Sequence, residues 1–272
     1  TLSSSSAASD VYKRQLQGML RNPLAEPYTL GVSGGAALGA TIGTILSGRS
    51  FLGVFLLPLC AFIGAIVSSA CVYLIASRRR FSITTLVLGG IVMNLFISSL
   101  ILLIFALSQR ERVLGMLLWL MGDLSAAERG LTASVALLVL LGVVLIFGLS
   151  RDLNLLTLGE EKAFYLGVRV ETLHRIIFIL TSFITGACVS ATGLIGFVGL
   201  IIPHMVRWLT GPDHRVLLPG CFLCGGGFLI LCDALARSIV APVELPVGVV
   251  TGVIGGGFFL INLMKGDKWE AF

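Results

Sequence analysis

Gly31-Val32-Ser33-Gly34-Gly35 spells G-x-S-x-G, the pattern that presents a serine hydroxyl on a sharp turn for acyl transfer. Such a nucleophile needs a base, and His204 is the candidate, which gives one reading: an intramembrane serine protease using Ser33 and His204. The motif's usual setting is a strand-turn-helix elbow, and no strand-like run precedes Gly31. Short glycine and serine patterns also arise wherever helices pack closely in lipid. Cys221 and Cys224 form a C-x-x-C, but no second pair or nearby histidine completes a metal set. All six cysteines lie in or near apolar runs and read as small buried hydrophobes. His204, Arg207, Asp213, His214 and Arg215 follow or flank Pro203 without metal-ligand spacing, so no metal and no catalytic residue is assigned. Asp233 and Arg237, four apart, can pair along a helix or leave the arginine free for an outside partner. Asn94 interrupts an apolar run, either to hydrogen-bond a neighbouring helix or to line a route.

The elements that must carry these residues follow from composition. Of 272 residues, 56% are hydrophobic and 12% charged, with a mean hydropathy of +1.01, well below the roughly 25% charged of soluble domains. The chain is expected to be an all-α, polytopic transmembrane bundle, with spans near 36–47, 51–76, 84–108, 131–150, 174–192, 194–209, 216–236 and 246–264. Fourteen of the 19 lysines and arginines fall in one set of connections, including Arg78 to Arg80, Arg151, Lys162, Arg169, Arg175 and Arg215. The positive-inside bias makes that side cytoplasmic and both chain ends with it, so the net charge of +5 reflects topology and not nucleic acid.

Residues 1–15 are polar and serine-rich, lack the apolar run of a signal peptide, and read as a non-native leader. Residues 16–265 form the transmembrane domain, and 266–272 a cytoplasmic tail. Pro23 and Pro27 push Asn22 and Glu26 toward extended backbone, so the chain must loop before Gly31, Gly34, Gly35 and Gly39 let the next helix pack closely. Gly193, Gly196 and Gly199 are expected on one helix, which Pro203 bends or ends, and Gly248, Gly252 and Gly256 on another close-packed face. In residues 151–174, Leu155, Leu158, Ala163, Leu166 and Val168 alternate with charge as in two short amphipathic helices broken near Gly159 and Gly167. Such helices lie on the membrane surface or dock into a partner's groove.

Taken in order, Q-G-M-L-R-N-P-L-A-E-P at 17–27, G-V-S-G-G-A-A-L-G at 31–39, L-G-E-E-K-A-F-Y-L-G at 158–167, G-L-I-G-F-V-G-L-I-I-P-H-M-V-R at 193–207, G-P-D-H-R at 211–215 and E-L-P-V-G-V-V-T at 244–251 resemble the FecCD-type permeases of bacterial ABC importers for iron-siderophores, haem and vitamin B12. The resemblance implies a ten-helix fold of which about eight helices are present, the first and most of the second being absent. It implies a multi-pass permease of the plasma (inner) membrane that pairs with a second, identical or different, permease copy and two cytoplasmic ATPases. An extracytoplasmic binding protein would deliver the metal chelate. No G-x-x-x-x-G-K-[ST] occurs here, so no cofactor is expected on this chain, and ATP and magnesium would sit in the ATPases.

By the same matching, coupling helices occupy about 153–170, with Leu158, Gly159, Glu160, Ala163, Leu166 and Gly167 fitting the ATPase groove. Ser82, Ile83 and Thr84 would form a cytoplasmic gate. Asn22, Pro23, Gly31, Ser33, Gly34 and Asn94 would shape a helix break beside the route, and Arg237 would meet acidic residues of the binding protein. An ATPase-independent channel or secondary carrier is the remaining alternative, although no chain of intramembrane Asp, Glu or His supports a proton-driven carrier.

Overall fold

The computed structural model of the chain describes residues 31–47, 53–78, 83–124 and 129–264. Every regular element among them is an α-helix: α1 (Val32–Ser47), α2 (Gly53–Ser77), α3 (Ile83–Leu107), α4 (Arg110–Leu120), α5 (Arg129–Gly148), α6 (Ser150–Leu156), α7 (Glu160–Tyr165), α8 (Val170–Thr192), α9 (Val198–Thr210), α10 (His214–Ser238) and α11 (Val247–Met264). The leader, the tail, Asn22, Pro23 and Ser82 lie outside the described residues.

Among the described residues five helices are long and apolar enough to cross a bilayer, in α2, α3, α5, α8 and α10, and three shorter apolar ones, α1, α9 and α11, match the remaining three of the eight runs expected from the sequence. Helix α4 was not anticipated: RERVLGMLLWL opens with three charged residues and reads as a connection. Helix α8 is the axis of the bundle, 67% of its most apolar window being buried against α2, α5 and α1, whereas α3 is 17% buried and presents apolar side chains outward.

Close approach of α1 and α2 rests on glycine. A Cβ on Gly35 would overlap the Gly64 carbonyl, one on Gly39 would overlap the Cys60 carbonyl, and one on Gly64 would overlap the Gly35 carbonyl. Lipid offers no hydrophobic drive for helix pairing, so direct backbone contact of this kind supplies the attraction.

Two of the expected glycine faces are corrected. Helix α8 ends at Thr192 and α9 begins at Val198, so Gly193 and Gly196 lie in the break and only Gly199 is helical. Gly193 adopts φ +69° at the end of α8, its backbone against the Trp119 carbonyl. Pro203 does not end α9, which runs seven residues further. At 13 residues α9 covers about 20 Å, short of the ~30 Å hydrocarbon core. The non-helical backbone that completes the crossing is tolerated because Thr192, Gly193 and Ile195 are buried in protein. On α11, Gly248 packs against the Met121 and Leu194 carbonyls, but Gly252 and Gly256 face open space and Gly255 is the residue beneath the Phe197 ring.

Gly39→Val is expected to lower the thermal midpoint of the detergent-purified protein, overpacking costing about 1–3 kcal/mol. Gly130→Ala, which faces open space on α5, should leave it nearly unchanged. Size-exclusion profiles after stepwise heating measure both.

Candidate functional site

Three regions carry the residues singled out by the sequence. The first is the start of α1. Gly31 adopts φ +86°, and its carbonyl accepts hydrogen bonds from Gly35 N–H at 2.9 Å and from the Ser68 hydroxyl of α2 at 2.8 Å. Gly34 lies under the side-chain oxygen of Asn94, near the midpoint of α3. Helix α1 therefore begins at the depth of the middle of a spanning helix. Such starts leave the first N–H groups without intrahelical acceptors and commonly border a polar route, while the Ser68 hydroxyl ties α1 to α2 as a second donor to the Gly31 carbonyl. Thr84, of the expected gate, is exposed in the first turn of α3.

Ser33 is not a nucleophile in this setting. Its side chain is 1% exposed, and its hydroxyl has no hydrogen-bond partner among the described residues. His204 instead lies against Trp208, ring centroids 4.7 Å apart, with Phe258 at 6.2 Å. The alternative Ser33–His204 dyad is thus not formed, because α1 packs chiefly on α2, α3 and α8 while α9 packs on α10 and α11.

The second region is the segment from α6 to α7. Gly159 takes φ 109° and ψ 149°, a conformation essentially reserved for glycine, and so separates the two short helices. Helix α7 closes with Val168 N–H donating to the Ala163 carbonyl and Gly167 N–H to the Phe164 carbonyl, each at 3.0 Å, with Gly167 at φ +91°. This is a Schellman ending, and the apolar contact that accompanies it is Ala163 with Val168, both buried. Ala163 therefore anchors α7 to the bundle and is not available to a partner. Leu158, Glu160, Leu166 and Gly167 stand at the surface. Phe164 and Tyr165 stand out further, Tyr165 being 85% exposed. The sequence reading missed both; two adjacent aromatics beside charged neighbours on a helix too short to bury them were the available signal.

Helix α6 is fastened to the start of α10. The Asn154 amide nitrogen donates to Asp213 Oδ1 at 2.7 Å, and Asn154 Oδ1 accepts from His214 N–H at 2.9 Å. His214 Nδ1 lies 2.7 Å from the same oxygen and so carries the proton as donor. Asp213 Oδ1 also accepts from Arg215 N–H at 2.9 Å, capping α10. The Arg215 N–H, with the Asn154 amide, holds the Asp213 carboxyl below its ordinary range.

The third region is at the opposite end. Arg237 Nε and Nη2 donate to the two Asp233 oxygens at 3.0 and 3.2 Å. Asp123, Glu244 and Pro246 line the same notch. One guanidinium thus faces three carboxylates, and the arginine expected to be offered outward is already held by its own chain.

A family model described as the FecCD transport family matches residues 15–265. An uncharacterised ABC transporter permease protein of Bacillus subtilis (strain 168), YvrB, is 41% identical over 95% of this chain and 74% of its own length. The hemin transport system permease protein HmuU of Yersinia pestis is 38% identical over 92% and 75%, and the vitamin B12 import system permease protein BtuC of Escherichia coli 37% over 93% and 77%. A solved structure described as an inward-facing conformation of a metal-chelate type ABC transporter superposes with a TM-score of 0.88 at 31% identity, covering 97% of this chain and 85% of that one.

Ser33→Ala is expected to leave the thermal midpoint at or above that of the wild type, since an unsatisfied buried hydroxyl costs about 1–3 kcal/mol. A fluorophosphonate should leave the wild type unlabelled; labelling at Ser33 would restore the nucleophile reading.

Proposed function

The chain belongs to the FecCD transport family, and from that premise we propose how this multi-pass permease of the bacterial inner membrane works and with what. It pairs with a second permease copy and with two cytoplasmic ATPase subunits that hold ATP and magnesium, while an extracytoplasmic binding protein supplies the cargo. The cargo is a metal chelate, iron-siderophore being the reading favoured over haem or cobalamin. Both chain ends lie in the cytoplasm, as the lysine and arginine bias indicates. ATP binding closes the ATPases, their motion displaces α6 and α7, and the bundle tilts to pass the chelate inward.

The observation that carries this reading is the segment from α6 to α7, anchored on one side and unpartnered on the other. Leu153, Leu156, Ala163 and Val168 fix it to the bundle, while Leu158, Phe164, Tyr165 and Leu166 present apolar area to the cytoplasm beside Glu160 and Glu161. Short helices with exposed apolar anchors and a charged rim suit insertion into a partner's groove. Leu158, Gly159, Glu160, Leu166 and Gly167 keep the contacting role expected from the sequence, Phe164 and Tyr165 join them, and Ala163 supports them from beneath.

Thr84, with Ile83 and Ser82, forms the cytoplasmic gate at the start of α3. Gly31, Gly34 and Asn94 border the route. Arg237 meets the binding protein by exchanging Asp233 for a carboxylate of the partner, which makes docking a swap of ion pairs and not the capture of a free cation.

Co-expression with the ABC ATPase of the same genome tests the reading. The wild type is expected to co-purify with it. Tyr165→Ala should weaken the complex by roughly tenfold or more, the size of a buried aromatic anchor, and Glu160→Arg should weaken it as well. Failure to bind any such ATPase would contradict the proposal.

A further inference from the structure

We infer that Asn154, Asp213 and His214 form the joint through which movement of the α6–α7 segment is delivered to α10; the inference rests on the ATPase-coupled reading above. The segment is continuous in sequence with α5, across Leu149, and with α8, across Arg169. A displacement of α7 reaches those two helices through the backbone. Helix α10 lies about 60 residues further along the chain and receives it only through space.

The contact between α6 and α10 has an apolar part and a polar part. Leu153 and Leu156 of α6 share a buried cluster with Leu217 and Leu218 of α10. Apolar contacts of this kind have no direction and can slide. The Asn154 amide is directional: its oxygen takes two donors from His214 and its nitrogen donates to the residue that caps α10. The amide therefore fixes α6 to the first turn of α10 in one orientation. His214 is 3% exposed, so its bonds to Asn154 are held within protein, while the Asn154–Asp213 bond is open to solvent.

Helix α10 has 25 residues and is about 37 Å long, with Pro219 in its second turn. At its other end are Asp233 and Arg237, in the notch with Asp123 and Glu244. One helix thus runs from the polar joint on the cytoplasmic segment to the charged notch on the opposite face. The joint is the point at which occupancy of that face and the state of the ATPases influence each other.

The test exchanges the two partners. Asn154→Asp keeps an acceptor for both His214 donors but sets a second carboxylate against Asp213, which breaks the bond to the residue that caps α10. In the double variant Asn154→Asp/Asp213→Asn, the carboxylate introduced at 154 accepts from both His214 donors; the single Asp213 oxygen that serves both Asn154 and Arg215 is replaced by an amide that turns about its Cβ–Cγ bond, its nitrogen donating to the carboxylate at 154 and its oxygen accepting from Arg215 N–H. Each is assembled with the two ATPases in lipid, and hydrolysis is measured with and without the binding protein. The single variant is expected to bind the ATPases while its stimulation by the binding protein falls roughly fivefold or more, the size of a broken pairwise coupling, and the double variant to recover it. Undiminished stimulation in the single variant, or no recovery in the double, overturns the inference. So does loss of assembly in the single variant that the double restores, which would assign the network to structure alone. A wild type that assembles with no ATPase overturns the earlier reading, and this one with it.

Discussion

Contact between the backbones of α1 and α2 is the interaction on which the rest of the bundle depends. Lipid tails are as apolar as leucine, so these helices gain nothing by burying side chains from one another and must approach closely enough for main-chain atoms to touch. Gly35, Gly39 and Gly64 permit that approach where any Cβ would collide with a carbonyl. The consequence is functional. Helix α1 starts in the middle of the membrane, and a start at that depth is stable only when the helix is held firmly by its neighbours, here by the glycine contacts with α2 and the Ser68 hydroxyl on the Gly31 carbonyl. With α1 so fixed, Gly34 and Asn94 are held together near the midpoint of α3.

The distribution of burial separates parts that stay from parts that move. Helix α8 is packed on several sides and carries the bundle, with Gly186 close against Ala65 and Phe62 meeting Phe183 edge to face at 5.3 Å. Helix α3 touches little within the chain and offers an apolar surface to lipid or to a second permease. The α6–α7 segment stands between these extremes, its two helices too short to persist alone and so given shape by glycine turns and buried anchors. A segment of that construction is joined to the bundle on one face and exposes the other.

Much of this was legible in the sequence, and the remainder had definite physical reasons for being hidden. Apolar runs located the eight membrane-directed helices because a bilayer imposes a length and a composition that few other environments do. Gly159 and Gly167 were read correctly as breaks because both hold φ values that other residues avoid. Glycine spacing misled at Gly193 and Gly196, and again at Gly252 and Gly256, since a repeat of three or four does not say whether the helix continues or which side is occupied. Arg237 was recognised, but Asp123 comes from a distant connection, and no local pattern announces that Glu244, in the connection just after α10, turns back to the arginine. The Asn154 joint spans some 60 residues and is invisible without the fold.

In the proposed mechanism an ATPase drives this permease from its cytoplasmic face. The most direct measurement is uptake of a radiolabelled metal chelate into proteoliposomes holding the permease and its ATPase, with binding protein supplied on the outer side and nucleotide inside. Accumulation that requires hydrolysable ATP and ceases with a non-hydrolysable analogue is the expected result. Uptake that proceeds to equilibrium without nucleotide or ATPase would contradict the account and mark the chain as a channel or a carrier.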